Sequence, residues 1–482
     1  MSAQLVPAAE PDFVVDAREF ARRVTGTLAF RLMRAHMRCS EEEITQVAAK
    51  VYCIAVPSST VVRESPLKRY LGLFMAPFFL LARKSWWWTP EPPADWQLDV
   101  EDARYFAERF QRVHDALPGS VRVGPRSGDP IADTQPTAPV DASVTPRAWW
   151  LLIAMPLAWF SLALLCKRER LDVFRAFRGA WISYTVWEGY FRRYPCRTFI
   201  TYADDGNEPS RALAFRQAGG ERLVAVQNGE RALQPAWACG DVDLYLMFGP
   251  YYERLIRQLG YQLGATASVG SVALDRYFAE ADGPEHTQSP FDVVLLDSGG
   301  LEPSQHSGLS SAAVGGEEHL FSVVGGFATK HPEFRVACQM RPYSRDADAV
   351  TRAVAAELLG EQVELLGNTG AGESYAAVRR ATVVVNYQST MGYESFLLGA
   401  TVLFVNYSGL SDQTLCDDPR YQIATEAPDF AAFDARVLDF LANPLSGPPP
   451  VALDHICRFD GHTQERIVEV LLGNADGAET IG

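Results

Sequence analysis

The sequence predicts an α/β fold in which two doubly wound parallel sheets face each other across a cleft. Three observations support this prediction. The chain has 482 residues, of which 48% are hydrophobic, and this is too long for one ordinary core. From residue 197 onwards, short apolar runs alternate with helical segments, which is typical of βαβ units. The alternation stops at the polar linker 282–290 and then restarts, so we predict domains at 1–281 and 291–482.

The first domain contains four apolar runs that we predict as strands. They are RTFIT, RLVAV, DLYLM and ASVGSV, with helices predicted at PSRALAFRQAG and YYERLIRQLG. The first strand leads into Asp204 and Asp205, and the second leads into Gln227, Asn228 and Glu230. Ligands of open α/β sheets bind beyond the carboxyl ends of the strands. We therefore expect these side chains to line the cleft.

The second domain repeats the pattern with five predicted strands. They are FDVVLL, RVACQ, QVELL, TVVVN and ATVLFVNY, with helices around EEHLFSVVGGFATK, SYAAVRRA and YESFLLG and two closing helices in 428–473. Asp297 follows the first of these strands, and Arg341 follows the second. Gln388, Ser389 and Thr390 follow the fourth. These residues belong to the edge that we expect to face the first domain.

Composition and simple motifs exclude several classes of protein. The net charge is −15 and the sequence pI is about 5.1, which argues against a nucleic-acid partner. The eight cysteines are scattered without a CxxC pair, and no signal peptide is recognisable, so we expect a reduced, cytosolic chain. No GxxxxGKS, HExxH or GxSxG motif occurs. We predict neither a cofactor nor a bound metal.

Two apolar stretches interrupt the first domain, at 70–82 and 148–166. Basic residues flank both, and Trp86, Trp87 and Trp88 follow the first. Buried core helices, helices lying in a membrane interface and a true membrane span all fit these stretches; the tryptophans and cations favour the interface. The segment between them, 118–146, is rich in Pro, Gly, Ser and Thr and is predicted to be a flexible linker.

The stretch VVVNYQSTMGYESFLLGATVLFVNY, at 383–407, predicts an anion site. A buried strand ends at Ser389 and Thr390, a short helix begins, and a second buried strand follows. The helix start offers free N–H groups to a phosphate, and both hydroxyls can donate to it. Gly392 allows close approach of the ligand, and Glu394 can accept hydrogen bonds from ribose hydroxyls. An ordinary helix N-cap at Ser389 or Thr390 is the alternative.

The segment 374–407 resembles the nucleotide-sugar half of GT-B glycosyltransferases, and its closest likeness is to Kdo-type transferases of bacterial capsule, O-antigen and lipopolysaccharide assembly. The resemblance covers roughly 198–472 and includes AVQNGE at 225–230. It implies a metal-independent enzyme in which Ser389 and Thr390 hold the donor phosphate and Glu394 holds the ribose. Many relatives carry Lys-x-His-Pro where this chain has Gln339-Met340-Arg341-Pro342. No acid–base role of that histidine carries over, and Arg341 would instead bind a carboxylate or phosphate.

Two carboxylates are candidates for the chemistry of sugar transfer. Asp297 lies beside a Gly-rich loop and is the candidate nucleophile or donor contact, a role that resembles an aspartate of retaining Kdo-type enzymes. Its alternative is a turn-capping residue. Glu230 is the candidate base for the acceptor hydroxyl, with a solvated helix start as its alternative. Asn228, Asp204 and Asp205 are predicted to be acceptor-side or structural.

The sequence thus predicts a glycosyltransferase that uses a nucleotide-activated donor, with CMP-Kdo or a related acidic sugar favoured. The acceptor would be a lipid-linked or growing surface glycan. We expect the enzyme at the cytoplasmic face of the inner membrane, held peripherally or monotopically on anionic lipid. Two alternatives remain open. One is a CDP-alcohol phosphotransferase of teichoic-acid type, and the other is a catalytically inactive scaffold at the membrane surface.

Overall fold

Two parallel sheets form the framework of the protein, which confirms the predicted α/β class of two doubly wound domains. A computed structural model describes residues 11–58, 75, 90–99, 110–124, 137–139, 145–202, 204, 208–275, 291–299, 301, 311–341, 345–367, 371–379, 381–409, 416 and 418–473. The first sheet has the order β3-β2-β1-β4-β5-β6-β7, and the second has the order β10-β9-β8-β11-β12-β13. All neighbouring strands are parallel, so each sheet has one carboxyl edge.

The strands are short, and most are buried. Those of the first sheet are β1 Ala94–Asp99, β2 Val121–Gly124, β3 Thr137–Pro139, β4 Cys196–Thr201, β5 Arg222–Val226, β6 Asp241–Met247 and β7 Gln262–Ser268. Those of the second sheet are β8 Phe291–Leu296, β9 Val336–Gln339, β10 Val363–Leu366, β11 Ala381–Asn386, β12 Thr401–Asn406 and β13 Gln422–Ala424. Burial on both faces explains their near-continuous apolar sequences.

Helices cover both faces of the sheets. In the first half they are α1 Asp12–Val24, α2 Leu28–Met37, α3 Glu41–Ser58, α4 Gln111–Ala116, α5 Leu151–Glu169, α6 Phe174–Arg193, α7 Pro209–Gln217 and α8 Pro250–Gln258. In the second half they are α9 Ser311–Lys330, α10 Arg345–Leu359, α11 Ala371–Arg379, α12 Met391–Leu397, α13 Phe430–Ala442, α14 Pro450–His455 and α15 Thr463–Leu472. Short 3₁₀ turns at Pro146–Trp150 and Pro235–Trp237 precede α5 and follow β5.

The segment 118–146, predicted as a linker, contributes two strands to the first sheet. Val121–Gly124 pairs with β1, and Thr137–Pro139 pairs with Val121–Gly124 at the sheet edge. Composition alone did not reveal these strands, because their three or four residues are surrounded by Pro, Gly and Ser. The residues between the two strands, and those of the linker 282–290, lie outside the described residues.

The end of the chain returns from the second sheet to the first. The α15 side chains of Ile467 and Leu471 are buried in the core of the first sheet. The Asp275 carboxylate, which follows β7, accepts hydrogen bonds from the first backbone N–H groups of α15, those of Thr463 (3.0 Å) and Gln464 (2.8 Å). Therefore α15 packs with the first sheet, although it lies within the range 291–482 predicted as the second domain.

Of the two apolar stretches, only the second is described, apart from residue 75 in the first. It forms α5 and the 3₁₀ turn before it. Within the described residues, Pro146–Glu169 is the one helical segment that is long and apolar enough to cross a membrane, with a mean hydropathy of 1.9 and 33% of its most apolar window buried. Trp86, Trp87 and Trp88 lie outside the described residues.

Candidate functional site at the junction of the two sheets

A hydrogen bond joins the carboxyl edges of the two sheets. The backbone N–H of Glu230, after β5, donates to Thr390 Oγ1, after β11, at 3.0 Å. A Cβ added to Gly229 would lie 3.0 Å from the same hydroxyl oxygen, so a glycine suits this close approach. Thr390 makes no side-chain cap to its own helix. Its hydroxyl therefore serves the junction between the sheets rather than an ordinary N-cap.

The hydroxyl protons of the Ser-Thr turn remain able to donate. Thr390 Oγ1 accepts from Glu230, and Ser389 Oγ accepts a long hydrogen bond from Met391 N–H at 3.4 Å. A hydroxyl that accepts keeps its own proton for another acceptor, such as a phosphate oxygen. Asn386 fixes the turn by bonding both the N–H and the C=O of Ser389, each at 3.0 Å. The predicted phosphate role of Ser389 and Thr390 is chemically compatible with this geometry.

Glu230 is a buried carboxylate with one oxygen held and one oxygen open. Its side chain is 3% exposed, and Oε2 accepts a hydrogen bond from the Tyr252 hydroxyl. His455 Nδ1 lies 3.2 Å from that hydroxyl and 3.7 Å from Glu230 Oε2. Glu230 Oε1 is buried and has no hydrogen-bond partner among the described residues. Buried polar atoms are nearly always partnered, so an open carboxylate oxygen marks a position for a ligand group or water.

Two tyrosine rings fix the His455 imidazole, which faces Glu230, by stacking on both of its sides. The His455 ring is stacked between Tyr251, with centroids 3.8 Å apart, and Tyr393, with centroids 3.7 Å apart. These three residues come from α14, α8 and α12, so the stack also ties the two domains together.

Burial raises the pKa of the Tyr252 hydroxyl well above its ordinary value, and the nearby Glu230 carboxylate raises it further. Tyr252 is therefore a permanent donor that holds Oε2.

Hydrogen bonds join the loops that follow β8, β9 and β11 in the second sheet. The strand order reverses between β8 and β11, which makes this position the switch point of the sheet. Asp297 is 5% exposed; its Oδ1 accepts from Gly299 N–H at 2.9 Å and its Oδ2 from Arg341 N–H at 3.1 Å. Ser298 Oγ accepts from Gln388 N–H at 3.0 Å. Switch points of doubly wound sheets are the usual ligand sites. The structure thus brings Asp297, Arg341 and Gln388 together, and Asp297 also performs the turn-capping role named as its alternative.

A buried donor at this switch point lacks a partner. The Gln388 side-chain Nε2 is buried and makes no hydrogen bond to any described residue. Arg341, which contacts the same Ser298 as Gln388, is exposed, and its Nη1 donates to Ser298 C=O at 3.1 Å. A buried amide donor next to an exposed guanidinium can bind oxygen atoms of an anionic ligand. This position adjoins the Ser-Thr turn, which begins at the next residue of the chain.

Glu394 and Gly392 lie deeper in the junction than the turn itself. Glu394 is 1% exposed; its Oε1 accepts from Ser271 Oγ at 2.6 Å and its Oε2 from the Tyr375 hydroxyl at 2.7 Å. Protein hydroxyls thus bind the carboxylate that the resemblance assigns to ribose. A Cβ at Gly392 would collide with the Asn386 side chain and approach Phe404 to 2.8 Å. Packing against β11 and β12 accounts for this glycine without invoking a ligand.

Asp204, which follows β4, holds the residues after β5 on the first sheet's side of the junction. It is fully buried, forms an ion pair with Arg231, and accepts hydrogen bonds from the Tyr245 hydroxyl and, at 3.2 Å, from Asn228 N–H. Asn228 Oδ1 also accepts from Arg231, at 2.6 Å. This network fits the structural alternative for Asp204, since removing one partner of a buried ion pair is costly. Asp205 lies outside the described residues.

Sequence reasoning missed Tyr251, Tyr252, Tyr393 and His455. No local motif marks them, because Tyr252 and His455 are 203 residues apart and meet only after α14 packs on α8. One cavity lined by described residues, of about 370 Å³, lies away from this junction. Its lining includes Gly240, Gly260 and Gln262, near the amino ends of β6 and β7, whereas the junction lies at the carboxyl ends of the strands.

Comparison with known proteins found no matching family model and no matching curated protein. Solved structures do match at low identity. A proposed UDP-N-acetylglucosamine 2-epimerase of Listeria monocytogenes is 12% identical, with 81% of this chain and 99% of that chain covered and a TM-score of 0.49. The UDP-GlcNAc 2-epimerase of Methanocaldococcus jannaschii, in complex with UDP-GlcNAc and UDP, is 10% identical. The match covers 79% of this chain and 99% of that chain, with a TM-score of 0.45.

A glycosyltransferase of Rickettsia africae also matches, at 11% identity, with 80% of this chain and 100% of that chain covered and a TM-score of 0.38. At these identities and TM-scores, the similarity carries no argument about activity. The assignment of two doubly wound domains depends on the strand order and the parallel pairing described above.

Replacing Tyr252 with Phe tests how Glu230 is held. The change removes the hydroxyl donor and leaves a buried carboxylate oxygen without its hydrogen bond, so we expect a loss of about 1–3 kcal/mol in the free energy of unfolding. Denaturant unfolding of the full chain measures it. Tyr421→Phe is the matched control, because Tyr421 is also buried, at 5% exposure. Equal, small losses in both variants would show that the Tyr252 hydroxyl does not support Glu230.

Proposed function

We propose that this protein is a glycosyltransferase that moves a sugar from a nucleotide-activated donor to a lipid-linked or growing surface glycan. The proposal rests on two buried polar atoms at one junction that have no hydrogen-bond partner among the described residues. Glu230 Oε1, an acceptor, lies on the first sheet's side, and Gln388 Nε2, a donor, lies on the second sheet's side. Thr390, two residues from Gln388, bonds the Glu230 backbone. Sugar transfer needs such a division between a donor-phosphate wall and a base.

The proposed chemistry uses each side of the junction for one task. Ser389, Thr390 and Gln388 donate hydrogen bonds to the donor phosphate, which develops charge as it leaves. Glu230 Oε1 accepts the proton of the acceptor hydroxyl, whose oxygen then forms the bond to the anomeric carbon. The bond between that carbon and the phosphate oxygen breaks, and the nucleotide keeps the electron pair. Tyr252 cannot take the proton, because it already carries its own, and it holds Oε2.

Arg341 supports an acidic donor sugar, with CMP-Kdo or a related sugar favoured. Its exposed guanidinium is a permanent cation beside the switch point and offers a planar pair of donors to a carboxylate. A CDP-alcohol phosphotransferase would place its chemistry at phosphorus instead of at a sugar carbon, and an inactive scaffold would show no turnover. Product analysis with a nucleotide-sugar donor separates these alternatives.

Exchanging the Glu230 carboxylate for an amide tests the base. Glu230→Gln keeps the shape but cannot accept a proton from the acceptor hydroxyl, so we expect transfer to fall by about 10²–10⁴-fold while donor binding is retained. Steady-state kinetics with isothermal titration of the donor measures both. Glu221→Gln, at an exposed glutamate of the first domain, is the control and should leave the rate unchanged. Near-normal turnover by a folded Glu230→Gln variant would remove Glu230 from the mechanism.

Removing the Ser389 hydroxyl tests the phosphate turn. Ser389→Ala gives up only a long hydrogen bond within the protein, so folding should be preserved. A lost hydrogen bond to a charged phosphate should weaken donor binding by about 1.5–3 kcal/mol. Thermal shift with CMP, UDP, GDP and CDP first identifies the nucleotide, since a ligand at 100 times its Kd stabilises by about 2.7 kcal/mol. Ser322→Ala, at an exposed position of α9, is the control, and equal affinities in both variants would refute the phosphate role.

Asp297 stays a predicted nucleophile for a double displacement, and mass spectrometry tests that role. Its carboxylate already binds two backbone N–H groups, at 2.9 and 3.1 Å. If transfer proceeds by double displacement instead of direct attack by the acceptor, incubation with donor alone should add one sugar to the wild-type chain and none to Asp297→Asn. Hydrogen exchange of the 297–299 loop checks that the variant keeps its loop structure. Normal transfer by Asp297→Asn would leave the residue only its loop-capping role.

A further inference from the structure

One face of α5 and the turn before it exposes a continuous apolar stripe. Its members are large apolar side chains, each between 41% and 65% exposed: Trp149, Trp150, Ile153, Leu157, Phe160 and Leu164. Spacings of three and four residues align Ile153, Leu157, Phe160 and Leu164 along the helix. Leu28 on α2 is 50% exposed, and its neighbour Ala29 bonds Ser161 of α5, so the apolar surface extends beyond one helix. A contiguous exposed apolar patch of this kind normally marks a site where a protein or a membrane binds.

The opposite face of α5 is part of the protein core, which decides how the helix can meet a membrane. Its buried side chains are 0–3% exposed: Leu151, Ala154, Met155, Ala158, Leu162 and Leu165. A spanning orientation would have to withdraw this whole face from α2 and the first domain. Burying a large apolar side chain is worth about 1.5–3 kcal/mol, so that withdrawal is strongly unfavourable. A helix of 19 residues, about 28 Å long, can instead lie in the interface plane.

The charges around the stripe complement an anionic surface. Residues 148–166 carry no charge, and the segment 147–178 contains six cations and two carboxylates. One carboxylate, Glu169, is ion-paired with Arg23 and Arg168. Lys167, Arg170 and Arg175 are exposed at the end of α5 and the start of α6, and make no ion pair within the described residues. The whole chain carries −15, so this local excess of cations opposes the general repulsion from anionic lipid.

We propose that the α5 stripe is a monotopic membrane-docking surface that buries its apolar side chains among anionic phospholipids. Trp149 and Trp150 lie at one end of the stripe, where indole rings favour the headgroup level, and the cations lie at the other. This proposal is independent of the proposed transfer reaction, since it depends on a surface outside the sheet junction. It explains why α5 is apolar on two faces, since one face packs on the protein core and the other packs on lipid.

Vesicle sedimentation of the full chain tests the docking surface. The wild type should bind phosphatidylcholine vesicles that contain phosphatidylglycerol, more weakly at high salt and more weakly still without the anionic lipid. Ile153→Ser, Leu157→Ser and Phe160→Ser together should lower the partition coefficient by on the order of 100-fold or more. Val350→Ser, at a 50% exposed apolar residue of α10, is the control and should bind normally. The single variant Phe160→Ser repeats the test if the triple variant does not fold.

Charge variants test the role of the cations at the end of α5, and light scattering tests whether the stripe joins two copies of the chain. Lys167→Glu with Arg170→Glu should weaken binding to anionic vesicles by roughly tenfold or more, whereas Lys167→Arg with Arg170→Lys should not. A folded wild type that binds neither kind of vesicle would overturn the proposal. So would light scattering that reveals a dimer dissociated by the triple change, because the stripe would then be an interface between copies of this chain.

Discussion

The contact between Thr390 and the Glu230 backbone sets the geometry on which the candidate site depends. It joins the carboxyl edges of the two sheets, and buried side chains of both sheets belong to one continuous core cluster. The Ser271–Glu394 hydrogen bond and the stacked His455 ring reinforce the same junction. Because these contacts are polar or aromatic and directional, they fix orientation as well as distance. The open oxygen of Glu230 is therefore held close to the turn that could bind a phosphate.

Four buried carboxylates around the junction, those of Asp204, Asp297, Glu394 and Glu230, differ in how many of their oxygens accept a hydrogen bond. Asp204, Asp297 and Glu394 each have hydrogen-bond donors on both oxygens, and they fasten loops or domains. Glu230 has a donor on one oxygen and none among the described residues on the other. Burying a charge without full pairing costs free energy, so this arrangement is expected where function requires it. Among these four carboxylates, the open oxygen singles out Glu230 as the candidate base.

The helix α5 shows how the same composition can serve two environments. Its sequence is apolar on all sides, which by itself fits a core helix, an interfacial helix or a span. The tertiary fold buries one face and leaves the stripe containing Phe160 exposed. A single helix thus connects the first domain's core to the surface that we propose docks on lipid.

The sequence by itself determined the two-domain α/β fold and the strand ends that carry Asp297, Arg341 and Ser389, because alternating apolar runs and turn residues are local signals. It did not identify the strands Val121–Gly124 and Thr137–Pro139, which are too short for periodicity to reveal. Only the tertiary structure decided that Tyr252 and His455 hold Glu230 and that Asp204 supports the junction from within. These partners are brought together by packing between distant segments, and a local pattern carries no information about which distant side chain will complete a buried hydrogen bond.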